Sequence, residues 1–235
     1  MDEAEKRRII RDAATIVLLR ERKGNHQVLM GQRGSGAVFM PNKYVFPGGA
    51  VDKQDYDILP ATPLNPIDEQ RLSHMAPSGV ASAIAMAAIR ELWEETGLIL
   101  GRQRSWPDSI PADWQDFAST GYRPSASGLQ YVFRALTPPG RPRRFDARFF
   151  LVDADEIATD LDDFSRASDE LSHLQWVKLS QARQFDLPFI TEVVLAEVAA
   201  RITDPTPPGS VPYFRNTDEA SLFLRLYGKE MPATG

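Results

Sequence analysis

The chain has 235 residues, 43% hydrophobic and 25% charged, with a net charge of −5. This is the composition of a soluble globular protein with room for a full core, and its mild acidity argues against a general nucleic-acid binder. The absence of cysteine excludes disulfides, thiolate metal sites and a cysteine nucleophile. Only His26, His74 and His173 are present, scattered in sequence, so any metal is expected to be held by oxygen. No apolar run approaches the length of a membrane helix. AATIVLL near the N-terminus is short and lacks a cleavage site, and MPATG at the C-terminus carries no targeting signal. A cytoplasmic protein with no membrane partner is expected.

In chain order, DAATIVLLRER (12–22) reads as a strand, Gly24-Asn25 as a turn and HQVLMGQR (26–33) as the partner strand of a hairpin. GSGAVFMPNKYVFPGG predicts a loop around a short YVF. Residues 53–79 carry Pro60, Pro63, Pro66 and Pro77, with one short helix expected around IDEQRLSHM; so long a connection is usually functional or mobile. GVASAIAMAAIRELWEETG (79–97) is the strongest helix, Ala-rich and stopped by Gly97. PADWQDFAST predicts a short helix. LQYVFRAL (129–136), FDARFFLVDA (145–154) and HLQWVKL (173–179) predict strands, the first two joined by the basic turn TPPGRPRR. LPFITEVVLAEVAARI (187–202) reads as a helix, with Pro188 in its first turn and Ile190, Val193, Val194 and Val198 at helical spacing. After a proline-rich link, TDEASLFLRLYG predicts a last helix. The order implies a mixed α/β fold without the regular alternation of a doubly wound sheet.

The strongest helix ends in three glutamates, Glu91, Glu94 and Glu95. At roughly 100° per residue they share one face within an arc of about 100°, with Met86, Ile89, Leu92 and Trp93 opposite. The like charges Glu91 and Glu95, at i and i+4, repel by roughly 0.2–0.5 kcal/mol, and the negative end of the helix dipole disfavours all three. Arg90 can pair with Glu94 but cannot neutralise the cluster. Two readings follow: a solvated helix face, or the ligand set of a hard divalent cation such as Mg²⁺ or Mn²⁺.

RELWEETGL (Arg90 to Leu98) fits, position by position, the second half of the Nudix box, R-E-U-x-E-E-x-G-U with U aliphatic, and FPGG is the usual entry to that box. The chain thus resembles the Nudix hydrolases, with Gly49 as the first glycine of the box. Asp52 and Asp55 stand at acidic positions of its loop, Asp55 where the family prefers glutamate. Gly49 and Arg90 are 41 positions apart, an insertion of about 27 residues into the family spacing, tolerable because loop entropy grows slowly with length. A split box is similar to the branch related to the peroxisomal coenzyme A diphosphatase. The resemblance covers roughly residues 10–200, including QRG, RRFDARFFL and ELSHLQWVKL.

The resemblance implies a Nudix fold, a mixed β-sheet sandwiched between helices (α/β/α), over residues 8–204. The insertion would occupy about 56–82, and 205–235 would form an extension packing on the domain or on a partner. It implies hydrolysis of a diphosphate joined to a nucleoside and another group, with Mg²⁺ or Mn²⁺ as cofactor. Gly49, Glu91, Glu94 and Glu95 are the implied metal ligands. Glu91, Glu94, Arg90 and Glu170 are the implied catalytic group, Glu170 as an alternative base. Arg33, Arg143, Arg144 and Arg148 are candidate phosphate contacts, while Tyr131, Phe149 and Phe150 read as core. Coenzyme A or acyl-coenzyme A is the leading substrate expectation. ADP-ribose, a dinucleotide or a sugar nucleotide, and an inactive binding module, stand as alternatives. Relatives are often homodimers, so a second copy is a candidate partner.

Overall fold

In the computed structural model, which describes residues 9–107, 109–204, 206, 209–216 and 221–226, a mixed sheet forms the centre of the fold. The N-terminal MDEAEKRR and C-terminal MPATG segments lie outside the described residues. Strands β1 (Ile10–Arg22) and β2 (Asn25–Arg33) form the hairpin. Its turn is Lys23-Gly24 and not Gly24-Asn25, because those two residues hold the positive φ, 54° and 72°, of a two-residue hairpin turn. β3 (Tyr44–Val45) pairs with β2, and β4 (Gly48–Ala50) pairs with β1. Strands β7 (Gln130–Leu136), β8 (Arg144–Asp153) and β9 (Leu171–Lys178) complete the predicted set. β8 runs parallel to β1 and antiparallel to β7, and β9 pairs with β2.

Alternation along these strands divides the core. Ala14, Ile16, Leu18, Leu29, Tyr131, Phe150 and Val152 face one side; Val17, Val28, Met30, Phe133, Phe149 and Leu151 face the other. The first face is covered by α1 (Pro66–Ser73) and α2 (Val80–Thr96), the second by α4 (Phe189–Thr203). The layers are therefore α/β/α. Tyr131, Phe149 and Phe150 are buried.

Helix α2 buries every residue except Ser82, Glu91 and Glu94. A helix apolar almost all round must be enclosed, and the insertion supplies part of the enclosure. The connection, expected to be functional or mobile, is packed against the core. Ile58, Leu64 and Leu72 enter the core, and Asn65 caps α1 by accepting from the Ile67 N–H at 2.9 Å. The side chains of Arg104 and Arg123 donate to the carbonyls of Ala61 and Leu59, both at 2.7 Å. Arg104 belongs to the segment between β5 (Gly101–Gln103) and β6 (Tyr122–Pro124), Arg123 to β6 itself; the two strands form a small separate sheet. Between them, α3 (Gln115–Ser119) follows a single 3-10 turn at Ala112–Trp114. At the insertion's far end, Arg134 donates to the carbonyls of His74 (2.8 Å) and Met75 (3.2 Å).

The last element departs from expectation. β10 (Val211–Asn216) runs parallel to β7, and β11 (Ser221–Leu226) pairs with β10 where a helix is predicted. Leu224 and Leu226, two apart, both pack into the first core face; a short apolar run is ambiguous between helix and strand, and the strand period wins here. Arg134 also lies 4.5 Å from the Tyr213 ring centroid, so one guanidinium joins insertion, sheet and C-terminal hairpin. Among the described residues no helix is long and apolar enough to cross a membrane.

Candidate active site

The floor of the site is the glycine pair in FPGG. Gly48 and Gly49 lie opposite Thr15 and Ala14 on β1. A Cβ on Gly48 would fall 2.4 Å from the Ala14 carbonyl oxygen and 2.7 Å from Thr15 Cα; one on Gly49 would fall 2.3 Å from the Glu91 carboxyl carbon. The glycines thus let the chain lie against β1 on one side and the end of α2 on the other. The Gly48 N–H donates to Glu95 Oε2 at 2.7 Å. Helix α2 stops just beyond, where Gly97 takes a φ of 75° and its N–H returns to the Trp93 carbonyl at 2.8 Å.

Arg90, 4% exposed, is the hub. Nε and Nη2 bind the two oxygens of Asp55 at 3.0 Å each, and Nη2 also reaches the Ala50 carbonyl at 3.0 Å. Nη1 donates to Glu91 Oε1 at 2.9 Å and Glu94 Oε2 at 3.0 Å. All five guanidinium donors are used. The acid that Arg90 grips from the front of the split box is Asp55, 0% exposed, which has folded back across the insertion. Asp52 lies farther off, 3.7 Å from Arg90, and pairs with Arg11 at 3.2 Å.

A solvated glutamate face is not what forms. Glu95 is buried and Glu91 largely so, leaving Glu94 as the exposed member. Three carboxylates (Asp55, Glu91, Glu94) share one arginine, and Glu95 is held by Gly48 instead. Burial, with Glu94 beside it, pushes the Glu91 carboxyl up to about 7. Burial also raises Glu94, and burial with the Glu91 charge raises Glu95 well above the usual range. Arg90 is drawn down by burial, but the Asp55 bond and the Glu91 charge outweigh this and hold it protonated.

This excess of buried oxygen charge is the donor chemistry of a hard divalent cation. Among the described residues no three such side chains are already gathered as a ligand set; Glu95 is drawn to Gly48, and Glu91 and Glu94 to Arg90. A pH dependence follows. With its folded pKa raised, Glu91 contributes stability that is fully present below about 4.5 and lost as pH rises through about 7. Such a shift is on the order of 3 kcal/mol, or roughly 6–12 °C in melting temperature for a chain of this size. Thermal melts in chelator should therefore fall by several degrees between pH 5 and pH 8. Mn²⁺ should restore the loss at pH 8 and do little at pH 5; a flat profile would show the carboxylates to be compensated already.

The other sequence candidates separate. Glu170 stands exposed at the start of β9, and its charge raises Glu91, Glu94 and Glu95 together, so it faces the cluster. Its loop is tied to α2 by the Ser168 N–H, which donates to the Glu94 carbonyl at 2.9 Å. Arg33, at the end of β2, lowers Glu95, and its buried Nε has no hydrogen-bond partner among the described residues. Arg148 must be withdrawn as a phosphate contact. It is 1% exposed, and its guanidinium is taken up by Asp12 and Asp146. Arg144 is buried too, with Nε donating to the Thr137 carbonyl at 3.2 Å. Arg143 is exposed, but lies five residues before Arg148, the β8 residue that faces Ala14, roughly 16 Å at strand rise. Missing from the sequence reading are Gly48 as a donor and Trp114, whose indole Nε1 donates to Asp55 at 3.1 Å. Gly48 sits in the quoted motif; Trp114 lies 59 positions from its partner, with no local signal.

Comparison with known proteins agrees with this geometry. No family model matches the chain. The chain is 33% identical over 181 residues to nudix hydrolase 7 of Caenorhabditis elegans, covering 72% of this chain and 51% of that protein. It is 32% identical over 183 residues to acyl-coenzyme A diphosphatase NUDT19 of Gallus gallus, covering 54% and 48%. The chain thus spans about half the length of the curated relatives it matches. The crystal structure of a NUDIX hydrolase from Alicyclobacillus acidocaldarius superposes with a TM-score of 0.62 at 27% identity, over 84% of this chain and 96% of that one. With the box residues assembled across the insertion as described, these likenesses establish that the chain belongs to the Nudix hydrolase family.

Proposed function

We propose that this chain is a metal-dependent diphosphohydrolase acting on coenzyme A or an acyl-coenzyme A, giving 3′,5′-ADP and (acyl)phosphopantetheine. The observation that carries the reaction class is the bank of carboxylates held by Arg90 over the Gly48–Gly49 turn. The substrate rests on the Gallus gallus relative, named for acyl-coenzyme A, and on the split box. Residues 8–204 form the hydrolase domain in this reading, with 205–235 an extension of it.

Glu91, Glu94, Glu95 and the Gly49 carbonyl would hold Mg²⁺ or Mn²⁺, which supplies neutralising charge to the diphosphate when bound. In the reaction water adds to one phosphorus, the P–O bond to the bridging oxygen breaks, and that oxygen leaves on the other phosphate. The proton lost by the water needs an acceptor. Glu91, acting as base in place of metal ligand, is one candidate to take it; Glu170, facing the same cluster, is the alternative. Arg33, whose charge lowers Glu95, is the cation beside the cluster for a phosphate oxygen, and Arg143 is the exposed cation left for an outer phosphate. Arg90 holds the carboxylates in place and is itself fully engaged.

The test is incubation with Mg²⁺ or Mn²⁺ and a panel of coenzyme A, acetyl-coenzyme A, ADP-ribose, NADH and diadenosine polyphosphates, products being read by mass beside a Glu94→Gln control. Metal-dependent release of 3′,5′-ADP, lost in the control, is expected. AMP from another member would keep the chemistry and change the substrate; no cleavage with metal bound would favour a binding module.

A further inference from the structure

We infer that Trp114 is a positioning residue for the glutamate bank, acting through Asp55 and Arg90. This rests on reading that bank as a metal-dependent hydrolytic site. Asp55 is 0% exposed and accepts four hydrogen bonds. Oδ1 takes Arg90 Nε at 3.0 Å and Trp114 Nε1 at 3.1 Å; Oδ2 takes Arg90 Nη2 at 3.0 Å and the Asp52 N–H at 2.8 Å. An ionised carboxylate has about four acceptor sites, so all are filled, one of them by the indole. The relation is specific to an aspartate here. The side chain is one methylene shorter than the glutamate the box prefers, and the indole N–H fills one of its acceptor sites.

Trp114 is built to hold that position. It is 0% exposed, and its ring packs edge-on to Phe117 at 5.5 Å and against Trp106 at 6.0 Å between centroids. The neighbouring Asp113 N–H donates to Gln54 Oε1 at 3.0 Å, so the 112–114 turn docks on the 53–57 turn at two adjacent points. From Asp55 the chain of contacts runs through Arg90 to Glu91 and Glu94. A buried carboxylate deprived of one of its four donors is less firmly fixed in position, and the guanidinium it anchors orients both glutamates. Trp114 makes no hydrogen bond to either glutamate; it fixes the residue that fixes them.

The experiment compares wild type, Trp114→Phe, Asp55→Glu and the double variant. It measures kcat and KM on whichever diphosphate the wild type cleaves, Mn²⁺ affinity without substrate by electron paramagnetic resonance, and melting temperature. Trp114→Phe keeps the aromatic packing and deletes the donor. It should lower kcat by roughly 10- to 30-fold, as expected for a lost bond to a charged group, with KM changed less than about 2-fold, and should weaken Mn²⁺ binding several-fold. In the double variant the longer glutamate enters the space vacated by the indole and should recover most of kcat and of Mn²⁺ affinity. Unchanged kcat and Mn²⁺ affinity in Trp114→Phe would overturn the inference. So would a loss that follows melting temperature and is not recovered by Asp55→Glu. If the wild type cleaves nothing, the hydrolase reading fails separately, and the Mn²⁺ titration still decides the role of Trp114.

Discussion

Replacing Arg90 by methionine should cost about 3–5 kcal/mol of stability, the usual result of removing one partner of a buried ion pair, and should abolish turnover. Arg90 serves three carboxylates and the Ala50 carbonyl, and Asp55 is fully buried. Without the guanidinium, Asp55 keeps only the Trp114 and Asp52 donors, and a fully buried carboxyl is left without its ion-pair partner. Glu91 and Glu94 lose, at the same time, the one cation hydrogen-bonded to them among the described residues. Urea denaturation in chelator reads the stability term. Adding Asp55→Asn to Arg90→Met should return part of the stability, since the uncompensated buried charge is then gone, without returning any activity. Arg90→Lys keeps the charge but lacks the planar fork, so it should fall between the two. A methionine variant within about 1 kcal/mol of wild type would mean that the buried Asp55 does not depend on the guanidinium and that the hub is ornamental.

The helix carrying this site was legible because its signals are local. Arg90, Glu91, Glu94, Glu95 and Gly97 lie within eight positions, and their spacing alone places the carboxylates together on a helix end. What periodicity could not supply was burial: it left a solvated face open, and the structure encloses Glu95 and most of Glu91 because the Gly48–Gly49 turn lies on top of them. Asp55 was legible only as a position; its partner lies across the insertion, and no local rule joins residues 35 apart. The basic turn GRPRR and the strand that follows it illustrate the opposite failure. Charge in sequence suggested phosphate contacts at Arg144 and Arg148, but both residues are buried, and Arg148 spends its charge on Asp12 and Asp146. The C-terminal hairpin was misread for a third reason. SLFLRL is too short for its apolar spacing to choose between periods, and its strand is set by pairing with β10, itself laid down beside β7.

Gly49→Ala should leave a folded protein with turnover reduced by at least about 100-fold, the scale at which misplacing a reacting group by about 1 Å registers. The position does not use positive φ, so alanine is compatible with the backbone. What the added methyl meets is the end of a side chain: the Glu91 carboxyl carbon and Oε1 at 2.3 Å and Oε2 at 2.4 Å. Glu91 can swing away, so the fold survives and the melting temperature should move by only a few degrees. The carboxylate would then leave the bank that it shares with Glu94 and Arg90. Gly48→Ala provides the contrast. Its methyl would meet the Ala14 carbonyl oxygen and Thr15 Cα, backbone atoms that cannot move without opening β1 from β4, so that variant should lose stability first and activity as a consequence. Kinetics and melts on both, with Glu91→Gln alone and combined with Gly49→Ala, separate the two effects. If the methyl acts by displacing Glu91, the combined variant should be little worse than Gly49→Ala alone, because two changes that remove the same group do not add. Wild-type turnover in Gly49→Ala would show that Glu91 takes no part in the chemistry, and the proton would then pass to Glu170, the remaining acid facing the cluster.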